Sequence, residues 1–247
     1  MRKRIICVLI FLWTLSAISS GLLAAVERVG TDSDLYFELQ MKAGILDFAG
    51  ISESTLKQLD SALAEYLAGS TYALVTPEGA SIPAEVFGQT QPAFNERELA
   101  HMADCQNLFL TLSFVLNAVR RFAVHGLLIV VVLTLLATSK SDWPSRRQLT
   151  RSAMLAPLAL LIPLGAFALW AAIDFSGAFT FFHHLLFAND LWLLDPQTDL
   201  LIRICPSSMF ASMGLRIGAR ALLWMVGAPA AACGITWLIA KVKESLK

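Results

Sequence analysis

The sequence predicts an all-α membrane protein, four transmembrane helices with a small, mainly helical extracytoplasmic cap. Three observations lead there. Of 247 residues 56% are hydrophobic and mean hydropathy is +0.63, well above the roughly 45–50% apolar share of a soluble domain. Four charge-free runs, Ile5–Val26, Phe122–Ser139, Ser152–Ile173 and Ala221–Ala240, hold 22, 18, 22 and 20 residues, close to the about 20 that cross about 30 Å of hydrocarbon. Basic residues alternate from side to side of these runs in the way that orients membrane helices. Lys+Arg and Asp+Glu stand at 19 each, so no net basic field exists to hold nucleic acid. Four Cys with no CxxC pair give neither a disulfide framework nor a zinc ribbon.

Residues 1–26 form the N-terminus and first span. The run follows Met-Arg-Lys-Arg, as a signal peptide would, yet its length and the lack of a small residue three positions before a cut predict an uncleaved anchor. No Cys follows at lipobox distance. Residues 27–121 form the cap, 122–139 the second span, 140–151 a cytoplasmic loop, 152–173 the third span, 174–220 a second outer loop, and 221–247 the fourth span and tail. Arg2, Lys3, Arg4, Lys140, Arg146, Arg147, Arg151, Lys241, Lys243 and Lys247 then share the cytoplasmic side with both termini. Glu27 to Asp104 holds 13 acidic against four basic residues and suits the outer side. Within the spans His125 is the one titratable side chain, and Pro157, Pro163 and Pro229 are tolerable where neighbouring helices satisfy the freed carbonyls. No proton relay through the midplane is indicated.

In the cap, Leu56, Leu59, Leu63 and Leu67 before Gly69 predict an amphipathic packing helix over Thr55–Ala68. Thr76-Pro77-Glu78-Gly79 and Ser81-Ile82-Pro83 predict turns. Asn95 is a capping residue with Glu98 at the third helical position, the pattern of a capping box. The helix it starts runs through Leu99, Met102, Leu108 and Leu112. Were it straight to Ser139, His101 would stand about 30 Å from Phe122. The expectation is a tilt, a break near Leu108–Arg120, or a bilayer boundary near Leu108 with Arg120 and Arg121 sheltered. Glu98, His101 and Asp104, three apart, share one helix face, either as a solvated polar stripe or as an imidazole between two carboxylates.

The second outer loop sets His183, His184, Asn189, Asp190, Asp195 and Asp199 among Phe181, Phe182, Phe187, Leu191 and Trp192. Such polar groups in an aromatic frame suit the membrane interface. Asp195-Pro196 is also a turn signal, and Trp192 also an ordinary anchor. Arg203, Arg216 and Arg220 are expected to pair with Asp195 or Asp199, or to meet lipid headgroups. A bond between Cys105 and Cys205 is left open.

Glu96-Arg97-Glu98-Leu99-Ala100-His101-Met102-Ala103-Asp104 together with the His183–Asp199 run resembles the signature of the bacterial lipoprotein intramolecular transacylases. That family reads His-Met-x-Asp before the second span, and Phe-His-x-x-[FL]-Phe-x-Asn-Asp, Trp and Asp-Pro after the third. The match covers His101 and His183. His184 fills a variable position, and Leu186 and Cys105 stand where Phe and Val are common. The resemblance implies an enzyme of the bacterial plasma membrane with its active site at the outer face. It implies movement of the sn-2 acyl chain of a diacylglyceryl lipoprotein to the N-terminal Cys amine, leaving a lyso-glyceryl form. Amine attack closes an eight-membered tetrahedral ring, with no acyl-enzyme, cofactor or metal. It implies His101 and His183 as acid–base catalysts that approach across the two outer segments. Asp104 would orient His101, and Asn189, Asp190, Trp192 and Asp195 would bind substrate. The implied partners are the lipoprotein and membrane lipid. Two rival readings use the same residues: a metal-dependent membrane hydrolase, and a non-enzymatic membrane scaffold.

Overall fold

A computed structural model describes residues 2–77, 79–136 and 144–245. The expected end of the second span, Ser139, the start of the cytoplasmic loop at Lys140, and Glu78 of the first turn lie outside the described residues. Among the described residues the chain runs α1 (Arg2–Gly30), α2 (Ser33–Ala43), α3 (Leu46–Ala49), α4 (Glu53–Leu67), β1 (Pro83–Val86), β2 (Gln89–Pro92), α5 (Glu96–Leu136), α6 (Arg146–Ile173), α7 (Phe175–Leu186), α8 (Leu200–Ile204) and α9 (Ser207–Ser245). Four helices are long and apolar enough to cross a membrane, over Lys3–Gly30, Glu96–Ile129, Arg146–Ile173 and Ser207–Leu238.

The contacts divide the chain into two compact units. The first comprises Met1–Ala25, Phe114–Leu169 and Gly218–Lys247. Helices α1, α6 and α9 pack there through Ile6, Ile10, Leu149, Ala153 and Ala232, and through Ile18, Ala156, Met225 and Ala228. With no hydrophobic force between helices in lipid, close approach carries the packing. At Gly21 an added Cβ would lie 2.1 Å from the Trp224 ring, so this crossing requires glycine.

The second unit comprises Val26–Ser113 and Trp170–Ile217. Its core runs from Val29 through Leu56, Leu59, Leu63, Phe94 and Met102 to Ile204 and Met213. Asp32 caps α2 by accepting the Leu35 N–H at 3.0 Å, and Gly44 ends it with φ +66°. The leucine-spaced helix forms as α4, starting two residues before Thr55 because Ser52 caps it through the Thr55 N–H. Between α2 and α4 the core holds a polar pair: Gln40 Nε2 donates to Asp60 Oδ1 and to the Ile204 carbonyl, both at 2.9 Å.

The first predicted turn forms, with Thr76 N–H donating to the Ala80 carbonyl at 2.7 Å. Pro83 instead opens an antiparallel hairpin in which Val86 faces Gln89. Its two-residue turn, Phe87-Gly88, has positive φ at both positions, 49° and 74°, as the turn that matches strand twist demands. Phe87 meets that demand because its N–H bonds to the Gly50 carbonyl at 2.6 Å and its ring lies 5.8 Å from the Arg203 guanidinium.

Helix α5 is unbroken through Leu108–Arg120, and Arg120 and Arg121 are exposed. The expected break and the expected shelter are thereby removed. Of the arginines expected to pair with Asp195 or Asp199, Arg216 pairs with Glu38 at 2.8 Å. Arg203 donates to backbone carbonyls, those of Asp199 and Ala49. The Asp199 carboxylate is occupied by Asn95 Nδ2, Thr198 Oγ1 and the Asp195 N–H. All four cysteines are free thiols.

Candidate active site

The site grows from the start of α5. The Asn95 side chain accepts the Glu98 N–H at 3.0 Å, and Glu98 Oε2 accepts the Asn95 N–H at 2.8 Å. This is the capping box. The other oxygen of Glu98 accepts the Leu201 N–H at 2.6 Å, and the residue is buried. Glu98 is therefore not on a solvated stripe, and both its oxygens accept backbone N–H groups. It bolts the start of α5 to α8.

One turn on, His101 is 8% exposed, its ring edge-on to Phe187 at 5.2 Å. Cys105, on the same face, brings Sγ to 3.6 Å from His101 Nε2. Among the described residues no hydrogen bond joins Asp104 to this ring, though the Asp104 charge favours the protonated imidazole. Its carboxylate instead accepts Asn189 Nδ2 at 2.9 Å. Asn189 Oδ1 in turn accepts the Leu191 N–H at 3.1 Å, which shapes the turn leading to Trp192. Arg97 adds a second tie by donating to the Asp190 carbonyl at 2.5 Å.

The second histidine stands on α7. Asp174 caps this helix by accepting the Gly177 N–H at 2.9 Å. Phe179 and His183, four apart, share a face, with rings 4.1 Å apart. His183 Nδ1 lies 2.7 Å from the Phe179 carbonyl. A carbonyl only accepts, so Nδ1 carries the hydrogen, and the neutral ring keeps its lone pair on Nε2. Burial holds His183 below the usual imidazole range; the Phe179 carbonyl partly opposes this and His184 adds to it.

The start of α5 and helix α7 meet here, with the His101 and His183 ring centroids 6.3 Å apart. Phe187 lies 5.7 Å and Trp192 4.8 Å from His183. His184 is exposed, its ring T-shaped to Trp192 at 5.1 Å. Asp190 is exposed. Asp195 accepts the Gln197 N–H at 2.9 Å, so its side chain serves the turn that precedes α8. Among the described residues no three His, Cys, Asp or Glu gather to hold a metal ion.

Sequence reasoning missed three participants: Phe179, which fixes the His183 tautomer; Cys105, taken as a neutral apolar replacement; and Arg97. Phe179-x-x-x-His183 after the capping Asp174 was the available signal, concealed because 181–199 reads as a loop.

The sequence matches the family described as lipoprotein intramolecular transacylase Lit over residues 5–210. No curated protein sequence matches the chain. Among solved structures, the membrane integral lipoprotein intramolecular transacylase Lit from Bacillus cereus is similar over 98% of both chains, at 22% identity and TM-score 0.62. A variant of that protein with one histidine replaced by arginine is similar over 99% of this chain and 95% of its own, at 21% identity and TM-score 0.60. At that identity the likeness establishes the fold, that of an integral membrane protein. The family match covers most of the sequence, and the chain belongs to the lipoprotein intramolecular transacylase family.

Proposed function

We propose that this transacylase moves the sn-2 acyl chain of a diacylglyceryl lipoprotein to the α-amine of its N-terminal Cys, with His101 and His183 as the proton carriers. The observation that carries the assignment is the 6.3 Å approach of two histidines from separate segments. His183 offers an unprotonated Nε2 because its Nδ1 hydrogen is held by the Phe179 carbonyl.

The substrate amine has a reference pKa of about 7.7–8.0 and attacks in its neutral form. As the N–C bond forms, His183 Nε2 takes the amine proton. As the C–O bond to glycerol breaks, the same proton reaches the sn-2 oxygen through the histidine pair, so none is exchanged with water. A single reactant supplies both amine and ester, so the protein's task is to hold an eight-membered ring closed. Asp104 contributes through Asn189, and Arg97 through Asp190, by holding the Trp192-bearing segment against α5.

The exposed Phe181, Phe182, Leu185 and Leu186 of α7 suit a helix lying in the membrane interface. The basic-residue asymmetry supports cytoplasmic termini and an outward active site. With α5 unbroken, a tilted α5 reconciles the site with the span.

Mass spectrometry of a lipoprotein N-terminal peptide tests the assignment. Cells with this protein should yield N-acyl, lyso-glyceryl peptide. Cells carrying His101→Ala or His183→Ala at equal protein level should yield the diacylglyceryl peptide. Lyso-form from both variants would defeat the assignment.

A further inference from the structure

We infer that the indole N–H of Trp192 donates to the acyl carbonyl oxygen of the substrate and carries the negative charge of the tetrahedral intermediate. The inference rests on the transacylase reading and gives that site the component it otherwise lacks.

Trp192 is 8% exposed, and its Nε1 is buried with no hydrogen-bond partner among the described residues. Buried indole N–H groups ordinarily have a partner, and an orphan in a native fold calls for one. Indole nitrogen only donates, so the missing partner is an acceptor. Three other buried side-chain atoms lack partners: Gln40 Oε1, Asp60 Oδ2 and Arg220 Nη1. Two are acceptors, and Arg220 lies in the other compact unit. Trp192 is the orphan donor beside a histidine of the site, its ring 4.8 Å from His183.

The reaction asks for a donor in that place. The attacking nitrogen and the developing oxyanion are bonded to the same carbon, so the base that serves one and the donor that serves the other must be neighbours. One Nδ2 hydrogen of Asn189 is given to Asp104, and the Cys105 thiol, a weak donor, faces His101. Trp192 is also held before substrate arrives: Leu193 N–H reaches the Asp190 carbonyl at 3.2 Å, and Leu194 N–H reaches the Trp192 carbonyl at 3.0 Å. A donor fixed in advance costs no reorganisation when charge appears.

As the N–C bond forms, the carbonyl π pair moves onto oxygen, where the indole N–H meets it. As that pair returns, the bond between the acyl carbon and the sn-2 oxygen breaks, and the departing oxygen, still bonded to the sn-2 carbon, takes the proton that left the amine. Trp192 transfers no proton.

The test uses the full-length enzyme in detergent with a diacylglyceryl lipopeptide. Trp192 is replaced by Phe, and separately by 3-benzothienylalanine, which keeps the two-ring shape and has no N–H. Both variants should lose about 10²–10³-fold in kcat with KM within about threefold of wild type, the signature of a donor used in the transition state. The benzothienyl variant should keep the wild-type melting temperature. Should the benzothienyl variant hold kcat within about threefold, or lose only in KM, the inference is overturned, and Trp192 packs the site or holds a water only. Should the wild-type enzyme form no lyso-product, the transacylase reading fails first and takes the inference with it.

Discussion

A backbone carbonyl four residues behind it holds the Nδ1 hydrogen of His183 and leaves Nε2 free, so the proposed base owes its form to α7 as much as to its ring. Its pKa is lowered, chiefly by burial, so the neutral form persists at neutral pH. The enzyme limb of kcat/KM should therefore be flat near pH 7 and fall only as pH drops below the usual imidazole value of about 6.5. A midpoint above that value in a pH–rate profile, beyond the one that the substrate amine itself gives at about 7.7–8.0, would contradict the burial argument. His183→Ala and His101→Ala should each cost about 10²–10⁴-fold in product formation. His184→Ala should be mild, because that ring is exposed and T-shaped to Trp192. Loss with His184→Ala and survival with His183→Ala would put the motif out of register by one. Asp104 separates two ideas of its role. If it works by accepting Asn189 Nδ2, Asp104→Asn retains an acceptor and stays within about tenfold of wild type, whereas Asp104→Ala falls further. Equal loss in both would mean that the carboxylate charge acts on His101 directly.

The start of α5 shows how a local signal acquired a long-range duty. Asn95 and Glu98 were legible as a capping box, and the box forms, yet nothing in the spacing disclosed that Glu98 Oε1 would also take the Leu201 N–H. Both oxygens accept, and Gln has one acceptor. Glu98→Gln should thus destabilise by about 1–3 kcal/mol through a mispaired buried N–H, read as a lower melting temperature in detergent. Helices α4 and α5 were visible because their periodicity and caps agree. Helix α7 was not, since its short run between the third span and the Asp195-Pro196 turn reads as part of a loop. The hairpin escaped because Phe87 at positive φ is an unfavourable choice that distant groups, Gly50 and Arg203, make tenable. The Gln40–Asp60 pair linking α2 and α4 was equally hidden. Burial raises the Asp60 pKa from 3.8 to about 7, opposed by the Gln40 hydrogen bond. An acid whose folded pKa is raised favours folding while protonated, so that stability is present below the ordinary 3.8 and drains away as pH rises through about 7. Wild-type melting temperature should fall between pH 5 and pH 8, and Asp60→Asn, which still accepts from Gln40, should flatten the slope. Parallel slopes would count against a buried, protonated Asp60.

At the scale of the molecule, four apolar runs carried the architecture, because span length is a property of composition. The pairing of His101 with His183 came from the resemblance alone; spacing cannot bring together residues from two segments. Orientation is testable on the whole protein. With the native cysteines replaced, Ser145→Cys should resist an impermeant thiol reagent added outside intact cells and react after lysis. Labelling in intact cells would invert the topology. The continuity of α5 has one more consequence. The helix is a single rod whose exposed apolar side chains begin at Leu110 and continue to Val132. His101 stands nine residues before Leu110, about 14 Å at 1.5 Å per residue. A bilayer that is too thick or too thin for such a rod is met by a change of tilt, and a stiff rod amplifies a change of tilt at its far end. The ties of Arg97 and Asp104 to the Trp192-bearing segment resist a swing of His101 relative to His183. Turnover is expected to depend on the thickness of the surroundings. In nanodiscs of graded lipid chain length, turnover should peak at one thickness and decline on either side, and Asp104→Ala, which frees α5 from the Asn189 tether, should sharpen that peak.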